Sequence, residues 1–119
     1  MKKALVIGID NYPTAPLRGC VNDATAISQL LEANGDGSPN FSVQTLTSND
    51  VDIGCAALET AISDLFKGGD AETALLYFAG HGIINPETNA GYIVSSDGKK
   101  GAWGMSLSEI LALANGAYP

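Results

Sequence analysis

The only histidine of the chain, His81, lies between two glycines in Tyr77-Phe78-Ala79-Gly80-His81-Gly82. An imidazole titrates near neutral pH, so it can take a proton and return it during acyl transfer, or serve a thiol as its base. Glycine on both sides lets the backbone turn sharply and lets another group approach the ring closely. The same residues also suit a histidine satisfied within a turn, and a strand ending in Gly-His-Gly is only a moderately specific signal. The two cysteines, Cys20 and Cys55, both precede the histidine and have neither disulfide-framework nor metal-ligand spacing. Asp36, Asp50, Asp52, Asp64 and Asp70 are scattered over loops and a helix face, so no calcium loop can be argued from them.

The elements that must hold these residues follow from local pattern. Ala74-Leu75-Leu76-Tyr77-Phe78-Ala79 is a continuous apolar run bounded by glycine, which predicts a buried, parallel, central strand. Its carboxyl end, where His81 falls, is where open α/β sheets place their ligand crevice. Lys3–Ile9 predicts a first strand. The loop Asp10-Asn11-Tyr12-Pro13-Thr14-Ala15-Pro16 follows, because two prolines and an Asp-Asn pair disfavour any regular element. Asn22 or Asp23 is placed to cap a helix whose buried stripe is Ala24, Ile27, Leu30 and Leu31, and Asn34-Gly35-Asp36-Gly37-Ser38-Pro39 ends it. Phe41–Leu46 alternates apolar and polar residues, as a half-exposed strand near a sheet edge does. A second helix is expected from about Ile53 to Lys67, with Ala57, Leu58, Ala61, Ile62, Leu65 and Phe66 inward, stopped by Gly68-Gly69-Asp70.

Strand, helix, strand, helix, strand, with long connections, implies right-handed crossovers. The result is a doubly wound, mostly parallel, three-layer α/β sheet with helices on both faces. Beyond His81 the pattern predicts a polar loop over Ile83–Ala90, a short strand over Tyr92–Val94 and a loop over Gly98–Gly104. A last helix starts at Ser106 or Ser108, with Leu107, Ile110, Leu111 and Leu113 inward, and Asn115–Pro119 ends it.

At 119 residues, 45% hydrophobic and 16% charged, the chain is an ordinary globular sequence of one domain at most. A net charge of −7 without any Lys/Arg cluster argues against nucleic acid or an anionic membrane as partner and mildly favours basic ones. No apolar run approaches the roughly 20 residues that span a bilayer. Met1-Lys2-Lys3 followed by a short apolar segment resembles a signal peptide for only a few residues, so a cytoplasmic protein is expected. Neither G-x-G-x-x-G nor a P-loop follows the first strand, which disfavours nucleotide binding.

Two stretches in this order, Gly19-Cys20-Val21-Asn22-Asp23-Ala24 and Tyr77-Phe78-Ala79-Gly80-His81-Gly82, resemble the caspase-like cysteine peptidases. The similarity is to the metacaspase and bacterial caspase-homologue branch of peptidase family C14. Val6-Ile7-Gly8-Ile9-Asp10-Asn11-Tyr12 and Gly91-Tyr92-Ile93-Val94 agree with the pattern, so the resemblance covers nearly the whole chain. It implies peptide-bond hydrolysis by a Cys/His dyad, with His81 in the histidine role and the Gly82 backbone N–H in the oxyanion hole. It implies that Asp23 lines an acidic pocket for Arg or Lys before the cut, with Cys20 beside it; Cys20 also reads as a small buried apolar residue. Arginine-bearing relatives that cut after aspartate would need an arginine where Leu17 stands, one residue from Arg18, so basic specificity is expected. Asp97 is expected as a turn residue, and Tyr12 and Trp103 as packing or crevice-wall residues. No cofactor or metal is expected; the resemblance admits activation by calcium, which the residues themselves do not show.

The family's nucleophile lies about 50 residues beyond the histidine. Fewer residues than that separate His81 from Pro119, and none of them is cysteine. The chain is therefore expected to be the N-terminal part, residues 1–119, of a single large (p20-like) catalytic unit, cut before the strand that carries the nucleophile and inactive alone. Its partners would be a protein substrate and the C-terminal remainder that supplies the cysteine. A nicked protein, a truncated form and a short homologue that lost its nucleophile are the three explanations, in that order. The last would be a caspase-shaped interaction domain without catalysis.

Overall fold

The strand β1 (Lys2–Gly8) is the middle strand of a three-stranded sheet. Ala4 to Gly8 is buried on both faces, and parallel strands flank it on both sides, β2 (Phe41–Thr47) and β3 (Thr73–Ala79). In that register Leu5 lies opposite Gln44 on one side and Leu76 on the other. A computed structural model describes residues 1–118; Pro119, expected in the chain's closing turn, lies outside the described residues.

Helix α1 (Cys20–Glu32) covers one face of this sheet and α2 (Cys55–Phe66) the other. The approach of α1 is close: a Cβ at Gly8 would fall 2.6 Å from the Cys20 carbonyl oxygen and 2.7 Å from the Ala24 Cβ. Its inner side is Val21, Ala24 and Ser28, and the Ser28 and Thr45 hydroxyls bond at 2.8 Å to tie α1 to β2. Leu30, expected in the buried stripe, is 73% exposed, because burial follows Val21, Ala24 and Ser28 round the helix instead. On the opposite face Leu58, Ala61, Ile62, Leu65 and Phe66 of α2 close over Leu5, Ile7 and Ile9, as expected, while Ala57 is exposed. Fully buried side chains such as Leu58 and Ile62 each contribute about 1.5–3 kcal/mol by leaving water. The chain leaves α2 through a tight turn in which Gly68 and Gly69 take φ of +82° and +58°, a region that favours glycine.

Four expectations are corrected. β3 is an edge strand of the three-stranded sheet rather than the central one, and its side chains are half-buried because only β1 pairs with it. Residues after His81 do not form a simple polar loop: Gly82–Ile84 is a strand, β4, antiparallel to β5 (Gly91–Lys99). The short strand expected at Tyr92–Val94 is the first part of that longer β5. The loop expected at Gly98–Gly104 contains β6 (Ala102–Ser106), so β4, β5 and β6 form a second, antiparallel sheet. Helix α3 (Leu107–Ala117) starts where expected, with the Ser106 hydroxyl accepting from the Glu109 N–H at 3.1 Å, and runs on past Asn115. Its Ile110 and Leu113 pack on the core, but Leu107 and Leu111 are exposed. No helix among the described residues is long and apolar enough to cross a membrane.

Candidate active site

The site is built where β1 and β3 end. From β1 the chain passes through Ile9, whose N–H donates to the Ala79 carbonyl at 2.9 Å, into the loop Asp10–Gly19. Asp10 organises that loop. Its carbonyl accepts from the N–H groups of Tyr12 (3.0 Å) and Leu17 (2.9 Å), and its own N–H donates to the Ser48 hydroxyl at 3.0 Å. Its carboxylate takes the N–H of Cys20 (2.9 Å) and of Val21 (3.2 Å), the first two amides of α1. These donors have no partner within a helix, and a carboxylate there also meets the positive end of the helix dipole. Asn22 and Asp23, expected as the cap, lie inside the first turn instead, and neither side chain caps it.

His81 follows β3 and is held from three directions. Its Nε2 lies 2.6 Å from the Ala15 carbonyl oxygen. A carbonyl can only accept, so Nε2 carries a hydrogen, and in the neutral ring the lone pair is then on Nδ1. The His81 backbone N–H donates to the Tyr12 hydroxyl at 3.0 Å, and that hydroxyl donates to the Val94 carbonyl at 2.8 Å. The Tyr12 and His81 rings meet with centroids 4.4 Å apart and planes tilted by 55°. Burial, opposed in part by the His81 N–H, pushes the Tyr12 phenol up to about 12, so it stays a neutral donor.

Gly82 opens β4, and the ladder sets the direction of its amide. Val94 N–H donates to the His81 carbonyl (3.0 Å), and Asn85 N–H donates to the Ala90 carbonyl (2.8 Å). Backbone groups of successive strand residues point alternately to the two sides, so residues 81, 83 and 85 face β5. Gly82 and Ile84 turn theirs to the outer edge. A cavity of about 230 Å³ lies here, walled by Tyr12, Ala15, His81, Gly82, Ile83 and Trp103 among others. The arrangement offers a base of fixed tautomer and an outward amide donor one residue apart.

The structure brings His81 and Gly82 together but leaves Cys20 and Asp23 off the wall of this cavity. Asp23 is exposed on α1, and its carboxylate makes no hydrogen bond or ion pair among the described residues. Cys20 is half-buried; burial, and then the Asp10 charge, push its thiol up, as burial and Glu59 do for Cys55. Both therefore hold their protons more tightly than an ordinary thiol, which lowers the share of thiolate at neutral pH. Asp97, expected only in a turn, sits on β5, where its Oδ1 accepts from the Cys55 N–H at the start of α2 (3.0 Å) and from the Ser95 hydroxyl (2.6 Å). Those bonds, the serine's first, hold its carboxyl below the usual range. Asp10 and Ala15 are the site residues that the residue pattern did not single out. An aspartate just past a first strand is a signal for Asp10, but nothing local marks the Ala15 carbonyl. Among the described residues no three His, Cys, Asp or Glu side chains converge as metal ligands.

The parallel α/β core thus carries a histidine at the carboxyl end of a strand, oriented by a main-chain carbonyl. Residues 1–115 match the family model described as the caspase domain of peptidase family C14, and the chain belongs to that family of cysteine peptidases. A comparison with curated proteins found no match. Family membership makes proteins the substrate class.

Proposed function

We propose that the chain is the N-terminal part of a cysteine endopeptidase domain in which His81 is the general base and acid. The nucleophilic cysteine comes from sequence that follows Pro119. One observation carries the reading: the 2.6 Å bond from Nε2 to the Ala15 carbonyl leaves Nδ1 as the open base within a cavity. Nδ1 takes the thiol proton, the thiolate attacks the substrate carbonyl, and the resulting imidazolium gives its proton to the leaving amine. Water then attacks the acyl-enzyme with the same histidine as base. The outward N–H of Gly82 meets the oxyanion, and such a donor is worth about 3 kcal/mol of barrier.

Cleavage falls after Arg or Lys. Asp23 supports this assignment because Asp10 has taken over the capping of α1, which leaves the Asp23 carboxylate uncommitted and exposed for a guanidinium. The metacaspase-like branch and a cytoplasmic setting belong to the same reading. The test is the protein expressed with its downstream sequence, assayed on Arg-, Lys- and Asp-terminated peptide amides with and without a thiol alkylator. Alkylator-sensitive hydrolysis of the basic substrates is expected. Preference for Asp removes the Asp23 assignment, and no hydrolysis of any of them leaves the non-catalytic interaction domain as the better reading.

A further inference from the structure

The outer edge of β4 is an open row of backbone groups that starts one residue after His81. The ladder turns the N–H and C=O of Gly82 and Ile84 away from β5, and β4 is the end strand of its sheet. Ile84 is 66% exposed. The two donor-acceptor sets are about 7 Å apart, the two-residue repeat of any extended chain. Beside this edge lies a second cavity of about 480 Å³ whose wall includes Ile84, Tyr92, Glu87 and Lys100. Ile83 and Trp103 are common to its wall and to that of the His81 cavity.

We infer that the β4 edge binds an extended stretch of the substrate polypeptide next to the bond to be cut, with an apolar side chain in the cavity floored by Trp103. The inference rests on the peptidase reading above. Exposed strand edges pair with extended peptides through main-chain bonds, and pockets for alternate side chains add selectivity. A substrate chain whose carbonyl meets Gly82 has Ile84 as its next main-chain partner, and one intervening side chain then reaches the cavity. Trp103 thereby becomes a specificity residue rather than a plain wall.

Binding is read without turnover. The probe is the capped peptide acetyl-Thr-Val-Thr-Leu-Thr-amide, titrated into the protein while the emission of Trp103, its sole tryptophan, and the amide resonances of Gly82 and Ile84 are followed. Saturable emission change with both amides shifted is expected. Ile84→Pro deletes the outward N–H without touching a bond to β5, and should weaken binding about fivefold to tenfold. N-methylation of alternate peptide residues should do the same and needs no protein variant. Undisturbed amides at millimolar peptide, equal binding by Ile84→Pro or the methylated peptide, or self-association along β4 that peptide does not compete with, overturns the inference. Since no catalysis enters, an inactive enzyme that still binds the peptide leaves it standing. An active one whose β4 amides ignore the peptide refutes this inference alone.

Discussion

Tyr12→Phe keeps the ring that meets His81 and deletes one oxygen. That oxygen donates to the Val94 carbonyl at 2.8 Å and accepts the His81 N–H at 3.0 Å, so its loss leaves two main-chain groups without their partner. Val94 is buried and His81 is half-buried, so water replaces neither bond fully. At about 1 kcal/mol for each group the variant should lose about 2 kcal/mol of stability. For a chain of this size that is a fall of about 8 °C in Tm. A second signature lies at alkaline pH. The folded phenol, pushed up to about 12 from 10.0, contributes stability that is fully present below pH 10 and is lost as pH rises towards 12. Thermal unfolding at neutral pH and over the alkaline range, with tyrosinate absorbance recorded alongside, measures both. One of the four tyrosines should ionise last, and the variant should lack that ionisation and the matching part of the alkaline loss. A Tm within about 1 °C of the parent, or an unchanged alkaline profile, would show that the Tyr12 hydroxyl does not bind these groups.

Asp10→Ala removes the carboxylate from the first two amides of α1, and a Tm lower by the equivalent of about 1–2 kcal/mol is expected; Asp23→Ala, outside the cap, should leave Tm nearly unchanged. In Gly80→Ala the new Cβ would lie 2.5 Å from the Tyr12 hydroxyl oxygen and 2.7 Å from the Phe78 ring, so the variant should lose both stability and the His81 N–H bond, seen as a shifted His81 amide resonance. Asp97 has its folded pKa depressed by the Ser95 hydroxyl and the Cys55 N–H, so its contribution is present above the ordinary value of 3.8 and is lost as pH falls below it. Asp97→Asn should flatten that acid limb of a stability-versus-pH curve, and an unchanged limb would count against the bond.

The order strand, helix, strand, helix, strand was legible because it rests on local signals: apolar runs, three-and-four spacing and clusters of Gly, Pro and Asn. His81 at the end of the third strand was legible for the same reason. The second sheet was not, because its glycines were read as loop markers while the fold uses them for close approach. A Cβ at Gly98 would press on the Trp103 carbonyl and Val94, and one at Gly104 on the Ile93 carbonyl. The edge position of β3 was hidden too, since an apolar run looks alike in a central strand and in one paired on a single side. Long-range bonds were the remaining blind spot. Tyr12 reaches Val94 across 82 residues, and Ala15 reaches His81 across 66, through a backbone atom that every residue type carries.

The central claim is that His81, held by the Ala15 carbonyl, moves the protons of peptide hydrolysis. The most direct measurement is kcat/KM of His81→Ala on an Arg-terminated peptide amide, in the protein expressed with its downstream sequence and with unchanged unfolding behaviour. A loss of about 10²–10⁴-fold is expected. Cleavage at the parent rate would contradict the assignment.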